Sequence, residues 1–405
     1  MNAFDTAAVL IAIAALTGYI NHRVLKLSAT TGTLAVALVS SFVVVAADAA
    51  VPGWRLRDVL AGFLGEIDFN EALMHGMLCF LLFAGSLHID LEGLLEHKWT
   101  IGALATVGVL LSTLAVGTLT WWAFRLLGVD VAFVVCLVFG ALISPTDPIA
   151  VMGLLKELNA PRGLESQIAG ESLFNDGIAV VVFFALVSVA GLSGAGEMEA
   201  ITMSATGLMS FFLQEVVGGA ALGLGFGYVG YRALKSIDDH SLELLITLAL
   251  VMFMYTLSFW IHVSGPIAVV LAGLLIGNPG RKFAMSQTTR EHVDAFWQMV
   301  DEILNAVLFL LIGLEVFAVS AGPGAIVASL LVVPIVLAAR FVSVSIPITA
   351  MSLRGPFRRG IVPILTWCGL RGGISVAMML SLPRFPARDY LLACTYAVVV
   401  FSILV

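Results

Sequence analysis

The sequence predicts an all-α polytopic membrane protein of about 13 transmembrane helices. Three observations carry this. Of the 405 residues 60% are hydrophobic and only 12% are charged, with a mean hydropathy of +1.05, whereas a soluble chain averages about 25% charged. Apolar runs of about 18 or more residues recur from one end to the other. No polar stretch is long enough to hold a soluble domain. There is no basic patch, so no nucleic-acid partner is expected.

Hydropathy places the spans at about 5–21, 30–49, 70–88, 100–127, 131–155, 164–190, 202–233, 241–260, 264–277, 293–319, 324–350, 358–382 and 388–405. The first begins MNAFDTAAVL, without a positive n-region or a small-residue cleavage site, and is read as a retained helix. Residues 53–69 offer an interfacial helix before the third span. The fifth span is interrupted by SPTDP (144–148), and the twelfth by CGLRGGIS (368–375). The glycines of GGAALGLGFGYVG (218–230) in the seventh permit close helix packing. The ninth is short. The last, AVVVFSILV, is still apolar, so the chain is expected to stop inside or just after a span, with any regulatory tail lying beyond. Cys79, Cys136, Cys368 and Cys394 sit in apolar runs without CxxC spacing and read as small core residues.

Loop charges orient these spans. The loops after odd-numbered spans carry 13 of the 20 Lys and Arg residues, and those after even-numbered spans carry five. The positive-inside rule puts the odd loops in the cytoplasm, the N-terminus outside and the C-terminus inside. The other two, Arg340 and Arg371, lie within spans. If the seventh span links two groups of six, the broken span is the fifth of each group, and the odd offset inverts the second group. Breaks in lipid survive only inside protein or beside water. Paired breaks in inverted six-helix repeats mark a transporter's midplane site.

The sixth span supplies the chemistry. GESLFNDG (170–177) places Glu171, Ser172, Asn175 and Asp176 in an apolar run, where a central charge costs about 2.5–3.5 kcal/mol. Ser172 and Asp176 share one helical strip, Glu171 and Asn175 the adjacent one. Thr146 and Asp147 lie beside Pro148 in the first break and add a hydroxyl, freed carbonyls and a second carboxylate. These are hard oxygen ligands for a hard, non-redox cation. Burial raises a carboxylate pKa and nearby positive charge lowers it, so an acid here can hold a proton or a cation in turn, which is enough to couple two opposite fluxes. Glu171 reads as structural, paired with Arg340 or Arg371, because an unpaired buried charge is far costlier. Asp301 and Glu302 open the tenth span and line an access funnel or are simply solvated. Glu315 is equally ambiguous. Glu215 reads as a structural contact. His75, His88 and His262, in or near spans, are weaker candidates for tuning a pH response.

Together GESLFNDG, SPTDPIAV, FWQMVDEILNAVLFLLIGLEV (296–316), LAARFVSVSIP (337–347) and GLRGGISVAMMLSLP (369–383) resemble the NhaP/NHE-type monovalent cation:proton antiporters, in order from the fourth span to the end. The resemblance implies the NhaA-like antiporter fold, a homodimer of 13-helix protomers with two crossed, discontinuous helices. Residues 1–99 and 202–292 would be mainly dimerisation scaffold, and 100–201 and 293–405 mainly a mobile ion-translocating core moving like an elevator. Asp176 would carry the ion and the proton, with Ser172, Thr146 and Asp147 as further ligands of the monovalent cation. Asn175 would steady the unwound region, Glu171 and Arg340 would form the supporting pair, and Arg371 would hold the second break. Electrogenic relatives have Asp where Asn175 stands, so the resemblance implies electroneutral one-for-one exchange of Na⁺, Li⁺ or K⁺ for H⁺. It implies a role in pH homeostasis in a plasma or inner membrane, without a resident cofactor or enzymatic activity. A passive cation channel is the alternative. An intramembrane protease is remote, since HExxH and GxGD are absent.

Overall fold

A computed structural model of the chain describes residues 3–50, 62, 71–148, 151–153, 155, 161–192, 205–315, 322–352 and 360–404. Among the described residues every regular element is helical. Among these residues seven helices are long and apolar enough to cross a membrane. The other predicted spans appear as shorter apolar pieces. The interfacial helix expected at 53–69 lies outside the described residues, apart from residue 62.

Helix α1 (Ala3–Ile20) continues in wider turns through Asn21–Leu25 and stops at Lys26, whose φ of 55° is left-handed. The buried Asn21 side chain ties off this turn, donating to Leu27 O at 3.1 Å and accepting from Leu27 N at 3.2 Å. Then follow α2 (Ala29–Ala50), α3 (Leu78–Leu87, led in by wider turns over Glu71–Met77), α4 (Leu91–Glu96) and α5 (Lys98–Leu126). Asp90 caps α4, accepting from Glu92 N and Gly93 N, as an Asp at a helix start commonly does. Next are α6 (Phe133–Ile143), α7 (Arg162–Val189), α8 (Ala205–Leu234), α9 (His240–Trp260) and α10 (Gly265–Leu275). Asp239 caps α9, while Ser264 caps α10 with Pro266 in its first turn. The chain closes with α11 (Gln287–Glu315), α12 (Pro323–Ser352), α13 (Ile361–Trp367), α14 (Gly373–Ser381) and α15 (Arg388–Leu404).

Packing follows small residues, because lipid offers no hydrophobic drive to bring helices together. A Cβ on Gly140 of α6 would strike the Thr113 carbonyl of α5, and one on Gly223 of α8 would strike the Ala268 carbonyl of α10. The 218–230 glycines, Gly225 excepted, thus serve close helix contact. Helices α5, α6, α7, α12, α14 and α15 pack on one another, and α10 packs between α3, α8 and α9. Helix α11 lies against α2, α3, α9 and α1, and also reaches α14. Large apolar side chains such as Leu16, Phe42, Trp122, Met209, Trp260 and Leu330 point outward, as on a surface facing lipid rather than water. All four cysteines are buried and free.

One expectation needs correction. Helix α11 starts at Gln287, six residues before the apolar window of the tenth span. Its first turns are polar, and hydropathy is blind to an amphipathic entrance. Asp301 and Glu302 therefore stand near the middle of the helix and not at its opening.

Candidate ion-binding site

The site forms where two helices fail. Helix α6 ends at Ile143: Ser144 still has right-handed helical angles, but Pro145 brings no backbone N–H to continue the hydrogen-bond ladder. Residues 144–148 are not helical. Helix α13 ends at Trp367, and α14 resumes only at Gly373. The two breaks meet: the Asp147 N–H donates to the Leu370 carbonyl at 2.7 Å. Gly372 lies against the Asp147 carboxylate, and any Cβ there would collide with it. Backbone groups freed in lipid must find partners. Arg371 supplies them, its Nη1 donating to Ser144 O at 2.6 Å and Pro145 O at 2.9 Å. Ser144 itself turns its hydroxyl back to Gly140 O, 2.7 Å away.

Unbroken helix α7 runs past this point and presents its polar strips. Asn175 grips Thr146 twice, donating to Thr146 Oγ1 at 2.7 Å and accepting from Thr146 N at 3.3 Å. The Ser172 hydroxyl donates to the Thr146 carbonyl in a short hydrogen bond. Asp176, 8% exposed, is within electrostatic reach of Asp147, and its Oδ1 is buried with no hydrogen-bond partner. The structure thus brings together Asp176, Asp147, Ser172 and Thr146, with Asn175 as the clamp.

Glu171 faces elsewhere. Its Oε1 accepts from Arg340 Nη1 at 2.6 Å, and Arg340 Nη2 donates to Leu365 O at 3.0 Å. Arg340 is therefore the partner of Glu171, and Arg371 serves the first break. The polar atoms gathered here on Asp176, Asp147, Ser172 and Thr146 are oxygens: two carboxylates, two hydroxyls and the Thr146 carbonyl. Such a set accepts a proton or a hard cation, and it offers no activated nucleophile.

The other candidates lie apart. Glu215 takes part through its carbonyl, which accepts from Ser264 N at 3.2 Å. His262 is exposed at φ 52° and His88 is exposed at the end of α3. The side chain of His75 lies outside the described residues. Among the buried polar residues that sequence reading does not single out are Glu243 and Asn305. Glu243 on α9 is fully buried, 3.3 Å from the Thr289 hydroxyl of α11 that donates to it. Asn305 on α11 is buried in LNAVLF, the same signal of amide in apolar run that drew attention to Asn175.

Comparison with known proteins identifies the family and the fold. The family described as "Sodium/hydrogen exchanger, transmembrane" matches residues 10–405. The Na(+)/H(+) antiporter NhaP of Pseudomonas aeruginosa is 46% identical over 99% of this chain and 93% of its own. The Na(+)/H(+) antiporter NhaH of Halobacillus dabanensis is 35% identical over 83% of this chain and 81% of its own. Among solved structures, the sodium proton antiporter MjNhaP1 from Methanocaldococcus jannaschii at pH 8 shares the fold, with a TM-score of 0.73 at 16% identity over 98% of this chain and 94% of that one. The chain is an integral membrane protein and belongs to the sodium/hydrogen exchanger family.

Proposed function

We propose that this protein is a secondary antiporter that exchanges Na⁺ for H⁺, with proton and cation competing for Asp176. The observation that carries the reading is the buried, unpartnered Oδ1 of Asp176 beside Asp147, at the meeting point of two helix breaks. An isolated acid there would be costly, and a guest that neutralises it offsets that cost. Asp176 binds either guest. Ser172 and Thr146 complete the cation's shell, and Asp147 adds charge. Asn175 keeps the break in register, the Glu171–Arg340 pair braces α7 against α12, and Arg371 holds the breaks together. The names of the NhaP and NhaH relatives support Na⁺ as a cargo; Li⁺ and K⁺ would use the same oxygens. No cofactor is required for this chemistry.

Asn175 stands where electrogenic members of the family carry a second Asp, which favours electroneutral exchange of one proton for one monovalent cation. The protein would work as a homodimer in a plasma or inner membrane, serving pH homeostasis. Its N-terminus would be outside, its C-terminus in the cytoplasm, and about 13 helices would form two inverted groups of six. Residues 100–201 and 293–405 would form the moving core, crossed at the two breaks, and 1–99 and 202–292 the scaffold. Helix α11 touches α14 as well as α2, α3 and α9, which supports reading it as the seam.

The test is exchange by the full chain in vesicles. Adding Na⁺ should dissipate a preset pH gradient at a rate indifferent to membrane potential, and Asp176→Asn should abolish this while the protein stays folded. Full exchange by Asp176→Asn would defeat the assignment. Cation flux that ignores pH would mark a channel instead.

A further inference from the structure

The face of α11 that looks onto the two breaks carries further polar side chains. Leu308 covers the start of α14: a Cβ on Gly373 would lie 2.6 Å from Leu308 Cδ1. Asn305 and Asp301 precede Leu308 by three and seven residues, so all three share one side of the helix. The residue before Gly373 is Gly372, which touches the Asp147 carboxylate. Asp301 is within electrostatic reach of Asp147 and of His88, the residue that closes α3. Asn305 is 3% exposed; its amide nitrogen lies close enough to the Asp301 carboxylate to interact with it, and its amide oxygen is buried with no hydrogen-bond partner. Such an oxygen costs about 1–3 kcal/mol, which an apolar side chain would avoid. Asp301, half-buried, stands between this amide and the more open edge of the helix.

We propose that Asp301 and Asn305 form a second station for the transported monovalent cation, where it sheds part of its water before reaching Asp147 and Asp176. This rests on the exchange reading above. The carboxylate draws the cation from solvent, and the amide oxygen replaces one of its waters. Order along the path is then Asp301, Asn305, Asp147, Asp176. The station serves only the membrane face from which α11 enters at Gln287, the face that also holds His88 at the end of α3. A charged cleft raises the arrival rate of its counter-ion by about ten- to a thousandfold, and inert salt erodes that gain.

The experiment uses the full chain in vesicles, with Na⁺ presented from each face in turn at low and high choline chloride. Asp301→Asn should raise half-saturating Na⁺ about tenfold on the α11-entrance face, leave the opposite face unchanged, and keep the maximal rate. Choline chloride should narrow the difference, and Asp301→Glu should restore the parent value. A separate arm measures ²³Na line broadening by purified protein carrying Asp176→Asn. Broadening should persist there and vanish when Asp301→Asn is added. Unaltered half-saturation on both faces, or equal losses on both faces at every salt concentration, would overturn the station while leaving exchange intact. A parent protein that never exchanges, yet shows broadening dependent on Asp301, would overturn the exchange reading and keep the station.

Discussion

Removing Glu171 should damage the fold before it damages the site. Arg340 is 6% exposed and Glu171 2% exposed, and their contact is 2.6 Å long. Glu171→Ala strands the guanidinium without its counter-charge. Breaking a buried pair on one side costs about 3–5 kcal/mol. Arg340 would keep its bond to the Leu365 carbonyl at 3.0 Å, which puts the loss near the lower end, about 3 kcal/mol. That is roughly two decades in a folding equilibrium. Ser172 and Asp176 lie on the neighbouring strip of α7 and lose no contact, so half-saturating Na⁺ should move by less than about threefold, under 1 kcal/mol. Thermal stability in detergent, followed by size-exclusion chromatography after heating, reads the first quantity, and vesicle exchange reads the second. The double variant Glu171→Gln/Arg340→Met should recover most of the stability, since replacing a whole buried pair with groups of similar volume is often close to neutral. A Glu171→Ala protein as heat-resistant as the parent that had lost only cation binding would refute this reasoning and move Glu171 among the ligands.

Two further outcomes follow from the same geometry. Exchange should show a bell-shaped pH profile, because acid keeps the Asp176 carboxylate protonated and closed to the cation, while alkali leaves too few protons to displace a bound one; a rate that climbs without limit toward high pH would contradict simple competition. Gly372→Ala should cut the exchange rate far more than it lowers thermal stability, since the new methyl collides with the Asp147 carboxylate at a backbone φ of −120° that any residue can adopt; unchanged exchange would show that Asp147 can move without consequence.

Much of this site was legible because lipid is an unforgiving solvent. Pro145, Pro148, Gly369 and Gly372 in apolar runs mark where helices must fail, and both breaks occur there. Asp176 and Glu171 stand out for the same reason, since few charges are tolerated in a span without a purpose. Partnership was not legible. Arg340 and Arg371 are chemically alike, and only three-dimensional placement sends one to Glu171 and the other to the Ser144 and Pro145 carbonyls. The centre of α11 was misjudged because its water-facing first turns contribute nothing to a hydropathy window. Asn305 carries no charge to set it apart in the sequence, although a buried amide oxygen without a partner is as unusual in such a place.

The bond from the Asp147 amide to the Leu370 carbonyl has a consequence for descent as well as for transport. It stitches residues more than two hundred positions apart into one short seam. Neither stretch can drift alone, because each completes the other's main-chain pairing. A hybrid that borrowed residues 144–148 from a distant cousin and kept its own 369–373 would inherit half a fastening. Gene-level swaps should therefore succeed only when both stretches travel together.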